Sequence, residues 1–523
     1  MANSIFSEED RKQIQSRGMN PDEVASQIEM FKKGFPHAKL RRPCTLHDGI
    51  LALDQNELTR LKKVYDRTAR EGRTLKFVPA SGAASRMFKL LLSINNQSGR
   101  ILKKDVIARA EQGDPDHKTF LRFILGLQNF AFFDDLKAVM SRDGIDIDDL
   151  ARKGEYKEAL EYTLTSKGLG LAALPKGLIP FHRYPARSRT PFEEHLIEAS
   201  EYTRDKQGLC RVHFTVSPVH KSVIEAHMRE FRARMEEPGT GFDTTYSIQA
   251  PSTDTIAVEM TNRPFRDRQG RLLFRPGGHG ALLKNVNDIK GDIVFIKNID
   301  NVVPERLNQE TVLYKKALGG YLVELQNQVF GYLEKLTSRD PGNVILGEMF
   351  EFLACRLSLG LPADPEKMAH EEKRAFLISR FNRPLRVCGM VRNVGEPGGG
   401  PFWVEQPDGA LSPQIIESSQ VDMESSGQRN IWESSTHFNP VDLVCGVRDY
   451  LGKPFDLFRF RDPDTGFISI KSKDGRDLKA MELPGLWNGS MAAWNTVFVE
   501  VPETTFNPVK TVFDLLRREH QPG

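Results

Sequence analysis

A turn of small residues after a short apolar strand is the stretch of this chain best suited to chemistry. Phe77 and Val78 are typical of a buried strand, and Arg86 stands where a helix would begin. The turn between them consists of Ala80, Ser81, Gly82, Ala83, Ala84 and Ser85. Small side chains let backbone N–H groups approach an anion, and a helix start and an arginine add positive charge. The stretch predicts a phosphate site, but small residues also pack where strand meets helix without any ligand.

Polar side chains that could act on a phosphate follow other apolar segments. Lys176 stands alone in an apolar extended segment, where a lysine either reaches solvent or points into a cleft. Asn298 and Asp300 end the apolar strand at residues 293–296, and Gln249 ends another β-rich run. The carboxyl ends of strands in open α/β sheets are where ligands bind. An aspartate there can also merely cap the next turn, so both interpretations stay open.

Further polar residues and glycines lie in the second half of the chain. Gly278 and His279 belong to a glycine-rich turn that precedes a predicted helix. Glu396 lies beside Gly399 in a second glycine-rich turn, which could line a pocket or form the tip of a long β-hairpin. Asn439 precedes a segment for which we expect a helix. These residues are candidates for ligand contacts rather than for reaction chemistry.

Composition narrows the possible partners. The net charge is +3, and acidic and basic residues are interleaved, so the sequence predicts no nucleic-acid-binding face. No run approaches the roughly 20 apolar residues that a membrane helix needs, so we expect no membrane segment. The five cysteines are scattered and form no CxxC pair. This pattern argues against a disulfide framework or a thiolate metal site and favours the cytoplasm.

Alternating strand and helix patterns predict an α/β fold on a mixed, mainly parallel sheet. Residues 1–74 are expected to form a helical N-terminal cap, and residues 75–380 an α/β core with a helical insertion at 90–170. Residues 381–523 are expected to complete that core. We expect them to end in an amphipathic helix. The oligomeric state cannot be inferred from these patterns.

These motifs, in this order, resemble those of the UDP-sugar pyrophosphorylases of the nucleotidyltransferase superfamily. Residues 80–87 are similar to the A-G-G-x-G-T-R-M loop of that family, with Ser81 and Ala84 in place of two glycines. Residues 175–180 are similar to the Pro-Lys segment that continues the same signature, so residues 90–170 resemble an insertion within it. The resemblance implies a Rossmann-like sheet of the nucleotide-diphospho-sugar transferase (GT-A) type.

The resemblance continues in the same order downstream. Residues 276–280 are similar to a P-P-G-H-G motif, and residues 298–301 match N-I-D-N. Residues 436–439 weakly resemble a T-N-N element. Residues 501–516 are similar to the closing pattern V-P-x-x-x-F-x-P-V-K-x-x-x-D-L-L, which fixes nine positions with unchanged spacing. The chain also resembles a Bacteroidota family of unknown function with this architecture.

The resemblance implies a role for each matching residue. The implied catalytic residues are Arg86, Lys176 and Lys510, with Asp300 holding Mg²⁺. The implied nucleotide-binding residues are Ala80, Ser81, Gly82, Ala83, Ser85, Gln249, Gly278, His279 and Asn298. Within this set Gln249 would face a uracil edge. We assign the sugar to Glu396, Gly399 and Asn439. The core at 75–380 would then bind the nucleotide, and residues 381–523 the sugar.

The resulting hypothesis is a Mg²⁺-dependent nucleotidyltransferase that makes a nucleotide sugar, with UTP as the expected nucleotide, and pyrophosphate from a nucleoside triphosphate and a sugar 1-phosphate. A glycosyltransferase that consumes nucleotide sugars is an alternative, but it would use an acidic pair, and residues 298–300 are N-I-D. A nucleotide-sugar-binding regulator without activity is a second alternative, which Ser81 and Ala84 keep open. The sugar cannot be inferred from the sequence.

Overall fold

The structure is a computed structural model that describes residues 5–97, 99–235, 239–338, 341–362, 364–393, 395 and 398–523. Its described residues form two compact units. The first unit contains Met1–Phe77, Gln249–Ile296 and Tyr314–Glu503. The second unit contains Val78–Ile248, Lys297–Leu313 and Thr504–Gly523. The segment boundaries that we expected at residues 74 and 380 stay predictions.

The strands and helices are numbered in chain order. The strands are β1 (Leu40–Pro43), β2 (Thr45–Leu46), β3 (Gly49–Leu51), β4 (Thr74–Pro79), β5 (Leu209–Thr215), β6 (Gly241–Ser247), β7 (Thr255–Ile256), β8 (Phe274–Arg275), β9 (Ile293–Lys297), β10 (Leu385–Arg392), β11 (Gly400–Glu405), β12 (Leu411–Ile416), β13 (His437–Phe438), β14 (Asp442–Gly446), β15 (Phe467–Lys473), β16 (Arg476–Glu482) and β17 (Asn495–Glu500). The helices are α1 (Glu8–Ser16), α2 (Pro21–Lys33), α3 (Gln55–Arg70), α4 (Lys89–Asn95), α5 (Lys103–Glu111), α6 (Pro115–Gly126), α7 (Phe133–Arg142), α8 (Ile147–Lys153), α9 (Lys157–Leu164), α10 (Pro191–Tyr202), α11 (Lys221–Met235), α12 (Leu282–Asp288), α13 (Asn308–Ser338), α14 (Gly342–Arg356), α15 (His370–Phe381) and α16 (Ser426–Glu433).

The first unit contains the larger part of the sheet, in the order β2-β3-β17-β10-β14-β9-β4. Strands β2 and β3, β3 and β17, β17 and β10, and β9 and β4 pair in parallel, whereas β10 and β14 are antiparallel. Strand β9 is buried throughout, as its continuous apolar run predicts for a parallel strand covered on both faces. The prediction of a mixed, mainly parallel sheet is therefore confirmed.

Residues 5–74 and 90–170 both contain helices, and their assignment as a cap and an insertion stays a prediction. The N-terminal cap contains α1, α2 and α3, and it also contains the short strands β1, β2 and β3, which the sequence patterns did not indicate. The insertion at residues 90–170 is formed by α4 to α9. Phenylalanines at its centre pack face to face, with 4.9 Å between the ring centroids of Phe130 and Phe132. In the described ranges, no helix has both the length and the apolar character needed to cross a membrane.

The second unit begins within the last two residues of β4, at Val78. Strands β5 and β6 pair in parallel from Leu209 opposite Gly241 to Thr215 opposite Ser247. Directly after β4, the Ala80 N–H donates to the Thr215 carbonyl oxygen at 2.8 Å. Helix α10 starts with a proline and a reciprocal cap between Thr190 and Glu193, as its sequence predicts. The turn after β4 thus begins at the carboxyl ends of two neighbouring strands.

Two local expectations were wrong, and one open question was decided. The segment after Asn439 is strand β14 rather than a helix, because its apolar residues are buried and pair with β10. The C-terminus forms short 3₁₀ turns at Val512–Leu516 and Arg518–His520, because a helix of that length gains too little without a long apolar face. Of the two interpretations left open for the turn near Gly399, the hairpin tip is excluded among the described strands, since β10 pairs with β13, β14 and β17, and β11 pairs with β1 and β12.

Candidate functional site

The small-residue turn and the Lys176 segment lie side by side in the second unit. The Lys176 N–H donates to the Gly82 carbonyl oxygen at 3.1 Å, and the Ala84 N–H donates to the Leu174 carbonyl oxygen at 3.1 Å. Ala83 and Pro175 form an isolated antiparallel bridge between the same two segments. The structure therefore brings together two stretches that are separated in the sequence by the helical insertion.

The surface of this turn is open. Ala80 is buried, whereas the side chains at the other predicted contact positions are exposed: Ser81, Gly82, Ala83, Ser85 and Arg86. A Cβ atom built on Gly82 would meet nothing within 4 Å. The expected helix start is weaker than predicted, because Ala84–Arg86 is one 3₁₀ turn and α4 begins at Lys89 with 7 residues. Positive charge at the turn thus comes from side chains more than from a helix dipole.

Asp300 connects the two predicted catalytic lysines. Its Oδ2 lies 2.9 Å from Lys176 Nζ and 3.2 Å from Lys510 Nζ. Lys176 Nζ also donates to the Val509 carbonyl oxygen at 2.9 Å. The side chain of Asp300 is 10% exposed and that of Lys510 is 47% exposed. Two cations therefore meet one buried carboxylate at the end of β9.

This arrangement keeps Asp300 ionised. Burial alone would raise its pKa, but the ammonium groups of Lys176 and Lys510 outweigh that effect and hold the pKa below the ordinary value of an aspartate. Asp300 Oδ1 is buried and has no hydrogen-bond partner among the described residues. Mg²⁺ prefers carboxylate oxygens, so this oxygen fits the expected ion. In the described part of the chain, no group of three or more His, Cys, Asp or Glu could hold a metal ion.

The Lys510 segment is fixed by backbone contacts and by one cap. The Val509 N–H donates to the Asp300 carbonyl oxygen at 3.0 Å. Asp514 Oδ2 accepts hydrogen bonds from the N–H groups of Lys510 at 2.8 Å and Thr511 at 2.7 Å. This cap gives a physical reason for the spacing of four residues between the lysine and the aspartate in the closing pattern.

Asn298 stands at the same strand end as Asp300. Its side chain is half-buried, and its carbonyl oxygen accepts a hydrogen bond from His195 Nε2 at 3.2 Å. Its neighbour Asn301 accepts the Asn507 N–H on Oδ1 at 3.0 Å. The second unit therefore contains the three predicted catalytic residues, the predicted metal ligand, the turn and Asn298. The roles of these residues stay predictions.

The remaining predicted nucleotide contacts lie in the first unit. Gln249 Nε2 is buried and has no hydrogen-bond partner among the described residues. Gly278 has a φ of +72°, and a Cβ there would lie 2.2 Å from Glu482 Oε2, so the fold itself requires this glycine. The His279 ring stacks on Trp487 with 4.1 Å between centroids. The Leu486 N–H donates to His279 Nδ1 at 3.1 Å, which leaves Nε2 as the donor of the ring.

Glu417 is a functional candidate that sequence reasoning missed. Its Oε1 lies 3.5 Å from His279 Nε2. Burial alone would raise the pKa of Glu417, but His279 and Trp487 outweigh it and keep the pKa low. A Cβ on Gly399 would lie 3.3 Å from the Glu417 side chain. No sequence signal distinguished this glutamate, because the polar run after β12 looked like an ordinary loop.

Asn439 and Glu396 are the two polar residues that were predicted to contact the sugar. The Asn439 N–H donates to the Gly399 carbonyl oxygen at 2.7 Å. Its side chain bonds the Gly389 carbonyl oxygen at 3.3 Å and the Val441 N–H at 3.1 Å. Asn439 therefore uses its amide group to hold the backbone. Glu396 lies outside the described residues.

The chain is similar to solved protein structures and matches one protein family. It is similar to UDP-N-acetylglucosamine pyrophosphorylase from Trypanosoma brucei, with 12% identity, a TM-score of 0.47, and coverage of 98% of this chain and 79% of the other. It is also similar to a mutant UDP-glucose pyrophosphorylase from Leishmania major, with 13% identity, a TM-score of 0.45, and coverage of 97% and 77%. No curated protein matches the chain. The profile of a family described as a domain of unknown function (DUF4301) matches residues 7–521, and the chain belongs to that family.

Proposed function

We propose that this chain is a nucleotidyltransferase that makes a nucleotide sugar and pyrophosphate from a nucleoside triphosphate and a sugar 1-phosphate. The supporting observation is the contact of Lys176 and Lys510 with the single buried carboxylate of Asp300, at 2.9 and 3.2 Å. The exposed turn of small residues adjoins the same lysine segment through the Lys176 N–H. Phosphate oxygens are natural alternative partners for two such ammonium groups.

In this reaction an oxygen of the sugar phosphate attacks the α-phosphorus, and the bond from that phosphorus to the bridging oxygen of pyrophosphate breaks. Negative charge is redistributed among phosphate oxygens, and no covalent bond to the protein is required. Positioning and cationic side chains therefore account for the catalysis. We assign Lys176 to the α-phosphate, Lys510 to the acceptor phosphate, and Arg86 with the turn at 80–85 to the triphosphate.

Asp300 is the residue that would hold Mg²⁺, through its unpartnered Oδ1. A bound Mg²⁺ would neutralise phosphate charge, and it commonly keeps several waters and one or two carboxylates. The two lysines contact the other oxygen of Asp300. The carboxylate can therefore orient both ammonium groups before the phosphates arrive.

The preference for UTP rests on Gln249. Its buried Nε2 lacks a partner among the described residues, and a carboxamide can pair with the donor and acceptor of a pyrimidine edge. We assign His279 to the border of the base. Glu417 is a candidate to accept hydrogen bonds from hydroxyl groups of a ligand, since it is ionised and half-buried. The cytoplasmic location expected from the cysteine pattern stays a prediction.

The test is pyrophosphate release from each of four nucleoside triphosphates with a panel of sugar 1-phosphates. We expect turnover with UTP and at least one sugar 1-phosphate, and a loss of about 100-fold or more in kcat for Lys176→Ala, as for other groups that stabilise transition-state charge. Lys206→Ala is the matched control, because Lys206 is an exposed lysine of the same unit, in the turn before β5. Equal rates in wild type and Lys176→Ala would refute the role of Lys176.

The same panel separates the alternatives. Hydrolysis or transfer of the sugar from a nucleotide sugar, without pyrophosphate release from any triphosphate, would indicate a glycosyltransferase. Binding of nucleotide sugars without turnover in either assay would indicate a regulator. Either of these two outcomes would overturn the proposed function.

A further inference from the structure

A buried chain of three ionisable side chains lies in the second unit, outside the groups assigned above. His182 Nδ1 is 2.9 Å from Glu194 Oε1, and His182 Nε2 is 2.9 Å from His520 Nδ1. The residues are 1%, 1% and 2% exposed for His182, Glu194 and His520, respectively. The two imidazole rings are nearly parallel, with 12° between their planes. This geometry forms a continuous hydrogen-bonded relay from α10 to the C-terminal 3₁₀ turn.

The neighbouring groups determine where the protons of the relay lie. Tyr184 OH accepts the Glu305 N–H at 2.9 Å, so its own hydrogen is directed to Glu194 Oε1, also at 2.9 Å. Glu194 therefore acts as an acceptor for Tyr184 and for the Nδ1–H of His182. His182 Nε2 and His520 Nδ1 share one hydrogen, so one of these two nitrogens donates to the other at 2.9 Å. The His520 ring also interacts with the backbone of Asn507, which precedes Lys510 by three positions.

This relay joins the two segments that carry the proposed catalytic lysines. His182 follows Lys176 by six positions, and only a 3₁₀ turn and a short extended segment separate them. His520 follows Lys510 by ten positions, through the Asp514 cap and two 3₁₀ turns. Gln521 Nε2 donates to the Leu515 carbonyl oxygen at 2.5 Å, which folds the C-terminal turns onto each other. The two histidines therefore fasten one segment to the other.

We propose that His520 is a positioning residue, which holds the segment of Lys510 against the segment of Lys176 through its hydrogen bond to His182. This inference rests on the proposed function, in which Lys176 contacts the nucleotide and Lys510 the sugar phosphate. His520 touches neither substrate. Its effect is to set the distance between the two ammonium groups, which Asp300 alone cannot fix because the Lys510 side chain is half-exposed.

A pair of isosteric substitutions tests this directly. His520→Asn retains a carboxamide near the position of Nδ1, which can donate or accept the hydrogen bond to His182, whereas His520→Leu has nearly the same shape and no hydrogen-bonding group. Amide hydrogen exchange of residues 504–516 is measured in the ligand-free protein. We expect exchange about tenfold faster in His520→Leu than in wild type, and within about threefold of wild type in His520→Asn, since a buried hydrogen bond commonly stabilises by about a factor of ten. Equal exchange in wild type and His520→Leu would overturn the inference.

Kinetics provide the second readout. We expect His520→Leu to raise KM for the sugar 1-phosphate about tenfold and to leave the dissociation constant of the nucleoside triphosphate within about threefold, with recovery in His520→Asn. A general folding defect would change both constants and both variants. If wild type shows no turnover, the proposed function fails, whereas the exchange measurement still decides whether His520 holds this segment.

Discussion

A substitution at Gly82 can distinguish a structural from a functional explanation of the small-residue turn. Its φ is not positive, and a Cβ would meet nothing within 4 Å, so the fold does not require glycine there. We predict that Gly82→Ala leaves the free energy of unfolding within about 0.5 kcal/mol or slightly raises it. We also expect nucleoside triphosphate binding to weaken about tenfold, because a methyl group would occupy the space of a phosphate. Denaturant titration and calorimetry measure the two effects.

The contrast with Gly278 serves as the control. At Gly278 the backbone φ is +72° and a Cβ would collide with Glu482, so Gly278→Ala should destabilise the protein whether or not a ligand binds. If Gly82→Ala destabilised the protein to a similar extent, the turn would be a packing element. The phosphate interpretation of the turn would then be unsupported.

Asp300 has two opposing effects on phosphate binding. It neutralises Lys176 and Lys510 in the ligand-free protein, and its free Oδ1 is the proposed metal ligand. We predict that Asp300→Asn binds pyrophosphate more tightly than wild type in metal-free buffer, by about tenfold, because both lysines lose their counterion. Addition of Mg²⁺ should increase the affinity of wild type and leave that of Asp300→Asn nearly unchanged. Titration calorimetry with and without chelator tests both statements.

The same substitution should destabilise the fold. Removal of one partner from a buried charge cluster commonly costs about 3–5 kcal/mol, and the exposure of Lys510 reduces the expected loss to about 2 kcal/mol. An Asp300→Asn variant with wild-type pyrophosphate affinity in metal-free buffer would show that the lysines do not contact phosphate.

At the scale of the elements, the Lys510 segment depends on its aspartate cap. Asp514 accepts the N–H groups of Lys510 and Thr511, and such caps contribute about 1 kcal/mol. We predict that Asp514→Ala lowers the free energy of unfolding by about that amount and raises KM for the sugar 1-phosphate. Asp514→Asn should keep the free energy of unfolding and the KM close to the wild-type values, because an amide oxygen can still accept these hydrogen bonds. A loss of nucleotide affinity instead would place the segment near the triphosphate.

The sequence was informative where an element combined an apolar run with a polar end. Strands β4 and β9 were predicted because Phe77 and residues 293–296 are apolar and end in small or polar residues. The closing pattern around Lys510 gave the position of that lysine, but the 3₁₀ turns after it were mistaken for a helix. Periodicity in a short segment cannot distinguish an α-helix from 3₁₀ turns, because tertiary hydrogen bonds such as the Asp514 cap decide which of them forms.

At the scale of the whole molecule, local sequence patterns could not predict the contacts between residues that are far apart in the chain. The sequence could order Lys176, Asp300 and Lys510 by resemblance, but it could not show that both lysines contact one carboxylate oxygen. Glu417 and the relay from Glu194 to His520 were missed for the same reason, since nothing in their local sequence marks them as paired. The pKa values and hydrogen bonds of these residues depend on their burial, and the fold determines that burial.

Burial of histidines in the second unit predicts an acid-sensitive fold. Burial lowers the pKa of His213 to about 4, and burial, His182 and Arg517 lower that of His520 to about 3, from a usual value of about 6.5. Between the lowered pKa of each histidine and its usual value of about 6.5, the unfolded chain binds more protons than the folded one, so the free energy of unfolding rises with pH. The stabilisation is therefore complete above about pH 6.5 and declines as the pH falls toward 4. Each histidine contributes at most about 1.4 kcal/mol per pH unit.

Denaturant titrations at four pH values between 7.5 and 4.5 would measure this slope. His213→Asn removes one titrating group and should make the dependence of the unfolding free energy on pH shallower by up to about 1.4 kcal/mol per pH unit. His37 is exposed, so His37→Asn is the matched control and should leave the slope as in wild type. A slope equal in wild type and His213→Asn would mean that His213 takes up a proton at the same pH in the folded and the unfolded chain. Below that pH, its hydrogen bonds to Thr245 and Ser247, both 2.8 Å, would then have to be made by an imidazolium ring that donates from both nitrogens.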